Sequence, residues 1–144
     1  MKQKRVIVDT GPFVAFLNKN DSYHEWTKSQ FAFISPPFIS CEAVISEACF
    51  LLRSYPNGAR NVLELLEREL IILPFDLEAE SNSIKILMEK YRNVPMSLAD
   101  ACLVRLSEQI SESTVCTLDS DFRIYRKNKR NIIPVIMPNR NPDI

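Results

Sequence analysis

The sequence predicts an α/β fold, a three-layer α/β/α sandwich around a mainly parallel central sheet of about five strands. Two observations predict it. Short apolar runs alternate with longer amphipathic stretches, and turn-forming residues separate the two kinds of segment. This alternation is typical of βα units, in which helices cover both faces of a parallel sheet. The length of 144 residues suits one domain, so we expect residues 1–144 to form a single domain.

The predicted strands are short and apolar. The first, RVIV at residues 5–8, stops at the turn-forming sequence DTGP. The remaining strands are predicted at residues 38–40, 70–74, 114–117 and, at a sheet edge, 134–137.

Helices are predicted where apolar residues recur at a period of about 3.6 residues. Ser22 and Glu25 have capping-box spacing and mark the start of the first helix, and the sequence YPNG breaks the second. Residues 121–126 are predicted as one helical turn. The predicted helices span residues 22–34, 42–53, 58–70, 77–91 and 97–110.

The composition is that of a soluble globular protein, with 46% hydrophobic and 25% charged residues. Lysine plus arginine and aspartate plus glutamate both number 18, so net charge does not indicate a nucleic-acid-binding protein. The basic start and following apolar run faintly resemble a signal peptide, but Asp9 and Gly11 interrupt the run. No stretch approaches the roughly 20 apolar residues of a membrane span. We therefore expect a cytoplasmic protein without membrane contact.

Cysteine and histidine usage argues against a zinc site. No cysteine pair has CxxC spacing, and a structural zinc site needs closely spaced thiolates or more imidazoles than one. Each cysteine lies among apolar neighbours, which favours reduced, buried thiols. The single histidine, His24, is expected on the surface or in packing. The cysteines are Cys41, Cys49, Cys102 and Cys116.

Two aspartates follow predicted strands directly. Asp9 comes after RVIV and Asp119 after TVCTL, and ligands of parallel sheets bind beyond the carboxyl ends of the strands. Either residue has an alternative role as a turn or cap residue. Under that alternative, Pro12 is the first residue of a short helix after Asp9. Asp121 is predicted as the cap of the turn after Asp119 or as an outer contributor to a site.

Two further acids lie on predicted helices. Glu47 falls outside the polar side of its helix, where a carboxylate is costly unless it is paired, protonated or bound to metal. A salt bridge to an arginine is the alternative explanation. Asp100 has capping-box spacing from Ser97, so a cap at the start of its helix is the alternative, although one carboxylate has oxygens for both roles.

Four sequence segments together resemble the PIN domains, especially the VapC-type toxins. VDTGP, VISEACFLL, SLADACLV and TLDSDF occur in the family's order and with its intervening lengths, from Arg5 to about Met137. The family's metal-site acids fall on Asp9, Glu47, Asp100 and Asp119, and its small hydroxyl residue after the first acid falls on Thr10. The chain departs from close relatives at Ser97, where many carry a further aspartate.

The resemblance implies a metal-dependent endoribonuclease that hydrolyses RNA phosphodiester bonds, as the toxin of a toxin–antitoxin pair. Carboxylates without thiolates or imidazoles suit Mg²⁺ or Mn²⁺. In this hypothesis Asp9, Asp100 and Asp119 anchor the ion, and Glu47 completes the ligand set or orients the attacking water. Thr10 and Asp121 are placed in the outer coordination shell. The resemblance also implies a homodimer and a small antitoxin protein as partner.

A basic segment follows Asp119 and is the candidate RNA contact. Arg123, Arg126 and Lys127 supply positive charge, and the ring of Tyr125 is able to stack on a base. The alternative is a solvated, turn-rich connection to the last strand.

Other functions remain open from the sequence. A phosphatase or a receiver domain would use a strand-end aspartate, but the phosphatase pattern needs an aspartate where Gly11 stands, and a receiver's acidic pair and lysine are not evident. The stronger alternative is a catalytically inactive PIN-like module that binds metal and either RNA or protein.

Overall fold

The computed structural model describes residues 2–139, so the ends of the domain predicted over residues 1–144 lie outside the described part. The central sheet has five parallel strands in the order β3-β2-β1-β4-β7, which confirms the predicted α/β fold and mainly parallel sheet. These strands are β1 (Val6–Val8), β2 (Phe38–Ile39), β3 (Ile71–Ile72), β4 (Thr114–Cys116) and β7 (Val135–Ile136).

Strand β1 lies at the centre of the sheet because all three of its residues are aliphatic and fully buried. Ile7 pairs with Ile39 on one side and with Val115 on the other. The backbone N–H of Asp9 continues this ladder by donating to the carbonyl of Cys116 at 3.0 Å. The chain therefore leaves β1 and β4 side by side at the carboxyl edge of the sheet.

Between residues 2 and 139, six α-helices accompany the sheet. Helix α1 packs against α2, α3 and α4, and α3 also packs against α4. Helix α5 packs against α6, which also contacts β1 and β4. The helices are α1 (Thr10–Leu17), α2 (His24–Ala32), α3 (Glu42–Leu51), α4 (Gly58–Glu67), α5 (Ser81–Lys90) and α6 (Leu98–Gln109).

Aromatic side chains fill two parts of the core. Phe13, Phe31 and Phe38 form one cluster, with ring centroids 4.6 to 6.3 Å apart. In the second, the ring of Tyr125 packs edge-on against Tyr91 and Phe122, at centroid distances of 5.1 and 5.2 Å. The second cluster lies beside the start of α6, where it positions a residue of the candidate site.

The sequence prediction was wrong about the start of α2. Ser22 makes no capping bond, and the helix begins at His24 after the uncapped Tyr23. Asp21 instead stabilises the turn before α2. Its Oδ1 accepts the amide of Tyr23 at 2.8 Å, and its carbonyl accepts the amide of His24. Nδ1 of His24 lies 2.8 Å from the carbonyl oxygen of Ala15, so this histidine links α2 to α1.

Helix α1 also differs from the sequence interpretation. It begins at Thr10 with Asp9 as its N-cap, so Pro12 occupies the third helical position rather than the first. This position suits proline, since the first four helical amides have no intrahelical acceptor.

The basic segment contains a hairpin that the sequence did not predict. Strand β5 (Arg126–Lys127) pairs antiparallel with β6 (Asn131–Ile132). Asn128 and Lys129 between them have positive φ angles of 50° and 73°. Two adjacent residues with positive φ give the backbone twist of tight hairpin turns, and asparagine tolerates that conformation. Both strands have only two residues, too few for a periodicity signal.

Cys41, Cys102 and Cys116 are buried and Cys49 is half-buried, and all four are free thiols. None of the helices described between residues 2 and 139 combines the length and apolar character needed to cross a bilayer.

Gly58 at the start of α4 is required by a close backbone approach. A Cβ atom there would lie 2.2 Å from the carbonyl oxygen of Leu52. We therefore expect Gly58→Ala to lower the free energy of unfolding by about 1–3 kcal/mol through overpacking. This loss should occur even though alanine is the better helix former by up to about 1 kcal/mol.

Urea denaturation measures this effect. The exposed Arg60→Ala in the same helix is the control and should change stability by no more than about 0.5 kcal/mol. A Gly58→Ala protein as stable as the wild type would contradict the packing argument.

Candidate metal centre

Three aspartates from distant parts of the sequence meet at the carboxyl edge of the sheet. One carboxylate oxygen from each of Asp9, Asp100 and Asp119 lies within 4.8 Å of the others. Asp9 follows β1, Asp119 is the N-cap of the 3-10 helix Ser120–Arg123 after β4, and Asp100 lies in the first turn of α6.

Asp9 is the most buried of the three, with 6% of its surface exposed. Its Oδ1 accepts the amide of Thr10 at 2.7 Å, and its Oδ2 accepts the hydroxyl of Thr117 at 2.7 Å. Desolvation by burial outweighs these two bonds and raises the pKa of Asp9 from 3.8 to about 7. The negative charges of Asp100 and Asp119 act in the same direction.

Thr117, a residue not predicted from the sequence, joins two of the acids. This fully buried residue donates to Asp9 and accepts the amide of Asp119 at 2.9 Å. Asp119 in turn accepts the amide of Asp121 through Oδ1 at 2.9 Å, so Asp119 caps the 3-10 helix and the prediction of Asp121 as the cap was wrong. The sequence does carry a signal for this role, because Thr117 is a hydroxyl residue two positions before Asp119 in TLD.

Asp100 combines capping and site geometry, as its sequence position allowed. Its amide donates to Ser97 Oγ at 3.0 Å, which confirms the N-cap, and its Oδ2 accepts the hydroxyl of Tyr125 at 2.8 Å. Burial, more than the nearby charges of Asp119 and Glu47, raises the pKa of Asp100.

The prediction that Tyr125 stacks on a base was wrong. Its side chain is fully buried and its hydroxyl is directed at Asp100. Burial, together with the neighbouring Asp100 carboxylate, raises the pKa of this tyrosine, so it remains a hydrogen-bond donor at neutral pH. Its place within the basic segment suggested exposure, but packing against Tyr91 and Phe122 buries the ring.

Glu47 lies at the rim of the same cavity rather than among the three clustered acids. The cavity has a volume of about 250 Å³ and is lined by Asp9, Thr10, Gly11, Glu47, Leu51, Asp100, Leu118 and Asp119. Glu47 is exposed, so the argument that its carboxylate is desolvated on an apolar helix face was wrong. The apolar residues beside it, Leu51 and Phe50, are themselves 52% and 60% exposed. Its part in metal binding stays a prediction.

Thr10 and Asp121 lie beside the cluster, where an outer coordination role was expected. Oγ1 of Thr10 is buried at the cavity wall and has no hydrogen-bond partner among residues 2–139. Asp121 is half-buried, and burial followed by the charge of Asp119 raises its pKa.

The residues present fit a small, hard divalent cation. Within the described chain the cluster consists of carboxylates, without thiolate or imidazole. Burial makes an uncompensated charge costly here, and a divalent cation would offset both that cost and the mutual repulsion. The unpartnered hydroxyl of Thr10 adds a further oxygen suited to a hydrated ion.

The three predicted RNA contacts occupy different environments. Arg123 is exposed at the end of the 3-10 helix. Arg126 donates through one nitrogen to the carbonyls of Arg123, Ile124 and Tyr125, at 2.7 to 3.2 Å. Lys127 is half-buried in β5. The assignment of all three to RNA binding stays a prediction.

Tyr125→Phe tests whether the hydroxyl of Tyr125 positions Asp100. Because the ring packing remains, we expect a folded protein whose Mn²⁺ affinity is about 10-fold lower, the size of effect found when a hydrogen bond to a metal ligand is removed. Isothermal titration with MnCl₂ measures this. Tyr91→Phe is the matched control, since its hydroxyl accepts the amide of Arg126 and contacts none of the acids. Equal affinities of the two variants would refute the positioning role.

The raised pKa of Asp9 predicts a pH dependence of stability without metal. Between about pH 4 and about pH 7 the folded protein retains a proton that the unfolded chain releases. The tighter binding of this proton in the folded state stabilises the fold. This contribution to the free energy of unfolding is complete below about pH 4 and is lost as the pH rises to about 7. Asp9→Asn removes the titrating group, so its unfolding free energy should fall less over this range.

Urea denaturation in EDTA across the range tests the difference between the two proteins. Glu112→Gln, an exposed acid before β4, controls for loss of one negative charge. Parallel curves for wild type and Asp9→Asn would contradict the assigned pKa.

Comparisons with known proteins support the fold. No protein-family model and no curated protein matches the sequence. Among solved structures, the chain is similar to VapC20 of Mycobacterium tuberculosis, described as a sarcin-ricin loop cleaving toxin. The TM-score is 0.66 and the identity 19%, over 81% of this chain and 91% of VapC20. The resemblance to VapC-type PIN domains is thus confirmed at the level of the fold.

Proposed function

We propose that the chain is an endoribonuclease that depends on Mg²⁺ or Mn²⁺. The observation that carries the proposal is the meeting of Asp9, Asp100 and Asp119 within 4.8 Å at the carboxyl edge of the sheet. The likeness of the fold to a toxin that cleaves the sarcin-ricin loop supports RNA as the substrate class.

In this proposal the three aspartates hold the cation, with Thr10 and Asp121 in its outer coordination shell. A bound Mg²⁺ or Mn²⁺ would supply Lewis-acid stabilisation of the charge that develops on the phosphate. Thr117 and Tyr125 hold the carboxylates in place through hydrogen bonds. This preorganisation matters because hydrolysis depends on the position of charge in the transition state.

Glu47 has a separate role in the proposed mechanism. Its exposed carboxylate at the cavity rim is accessible to water and lies near enough to influence Asp100 electrostatically. We assign it the orientation of the attacking water and acceptance of its proton, or completion of the cation's ligand set.

The biological setting follows by analogy with the toxin. We infer a cytoplasmic protein of one domain, a homodimer, whose activity a small antitoxin protein blocks. The alternative function, an inactive module that binds metal and either RNA or protein, retains the same acids. RNA cleavage distinguishes the two functions.

The deciding experiment incubates total RNA with the purified protein in Mg²⁺, Mn²⁺ or EDTA. We expect defined cleavage fragments with either metal and none in EDTA. Asp100→Asn should slow cleavage by about 100-fold or more, because losing one group that stabilises transition-state charge costs that much. Its cap should persist, since the capping bond uses the backbone amide of Asp100.

Glu112→Gln is the matched control. It removes an exposed carboxylate at the amino edge of the sheet, where Glu112 pairs with Arg5, and should cleave RNA like the wild type. A wild-type protein that binds Mn²⁺ but leaves all RNA intact would favour the inactive module, and unchanged cleavage by Asp100→Asn would refute the assigned site.

A further inference from the structure

A second cleft adjoins the acidic cavity. It has a volume of about 630 Å³ and is lined by Tyr23, Leu118, Ser120, Arg123 and residues 137–139. Leu118 lines both cavities, so the two share a wall. The volume lies within the range of about 300–1,000 Å³ that is typical of small-ligand sites.

We propose that this cleft binds a nucleotide of single-stranded RNA next to the phosphate that is cut. Arg123 would contact a backbone phosphate, and the ring of Tyr23 would stack on a base. This inference rests on the proposed ribonuclease function and adds a substrate subsite to it.

The position of Arg123 and the exposure of its side chain suit this residue to bind a phosphate. It ends the same 3-10 helix that Asp119 caps, four residues further on, so the helix fixes its backbone relative to the acids. The structure records no ion pair for it among residues 2–139. The three neighbouring carboxylates repel a polyanion, and a cation beside them would offset this repulsion.

Tyr23 supplies an aromatic surface to the lining of the same cleft. Its side chain is partly exposed, and the bond from its amide to Asp21 holds its backbone in the turn before α2. A basic side chain together with an accessible aromatic ring is the usual combination in sites for single-stranded nucleic acid. Ser120 is exposed, also lines the cleft and offers a hydroxyl for sugar or phosphate oxygens.

The basic residues that follow Arg123 in the segment do not line this cleft. Tyr125 reaches Asp100 at the start of α6, whereas the amide of Asn128 donates to Glu108 near its end. Eight residues of helix separate these points by about 12 Å. The guanidinium group of Arg126 donates hydrogen bonds to three backbone carbonyls. The geometry therefore favours Arg123 over Arg126 and Lys127 as the RNA contact.

Fluorescence anisotropy with a fluorescein-labelled 12-nucleotide oligouridylate tests the proposal. The parent protein carries Asp100→Asn to prevent cleavage, since Asp100 lines the acidic cavity and not the second cleft. Arg123→Ala should weaken binding about 5-fold and reduce the salt slope of log Kd by about 0.7, the value for one phosphate contact on a single strand. Tyr23→Ala should weaken binding about 10-fold with an unchanged salt slope, and Tyr23→Phe should bind like the parent.

Three further variants guard against misfolding and nonspecific charge effects. Ser120→Glu places a negative charge at an exposed position of the cleft and should weaken binding about 10-fold in a folded protein. Arg5→Ala, which removes an arginine before β1 at the opposite sheet edge, should bind like the parent. Lys127→Ala, in β5, should weaken binding less than Arg123→Ala.

Parent-like binding by folded Arg123→Ala and Ser120→Glu would overturn the subsite, as would a loss confined to Lys127→Ala or a parent that binds no oligouridylate. Cleavage of total RNA by the wild-type protein is measured separately. Retained cleavage in any of these cases leaves the proposed function standing, and absent cleavage removes that function as well.

Discussion

The burial of crowded carboxylates, together with their mutual repulsion, is the constraint around which the carboxyl edge of the sheet is built. Asp9 is almost fully buried, and Asp100 and Asp119 lie close enough for their charges to raise its pKa. A fold tolerates such crowding only when donors hold the acids in place. The amides of Thr10 and Asp121 and the hydroxyls of Thr117 and Tyr125 do this. The arrangement is one that a divalent cation would complete.

The sheet topology explains how acids more than 100 positions apart in the sequence come together. Strands β1 and β4 are neighbours and parallel, so the residues that follow them emerge at the same edge. Helix α6 contacts both strands and presents its first turn to that edge. Burial of the aliphatic residues of β1 and β4 thus fixes the register, and the register fixes the distance between Asp9 and Asp119.

Features that depend on neighbouring residues could be predicted from the sequence. The five strands of the sheet, the cap at Ser97 and the strand-end positions of Asp9 and Asp119 all follow from apolar runs and turn chemistry. Features that depend on tertiary packing could not. Helical periodicity placed Glu47 on an apolar face, yet nothing in it shows that the adjacent Leu51 is also exposed. The inward direction of Tyr125 depends on ring contacts with Tyr91 and Phe122, and these contacts leave no local pattern in the sequence.

The hydrogen bonds of Thr117 have a definite polarity. Its oxygen already accepts the Asp119 amide, so its single proton is left for Asp9. A backbone group, which has no alternative orientation, therefore dictates which way the side chain donates. The acceptor geometry of Asp9 is accordingly set as soon as the turn after β4 forms, before any ligand arrives. Serine would preserve this directionality with more rotational freedom, whereas the isosteric valine would abolish it and leave both an unpaired amide and an unpaired carboxylate oxygen.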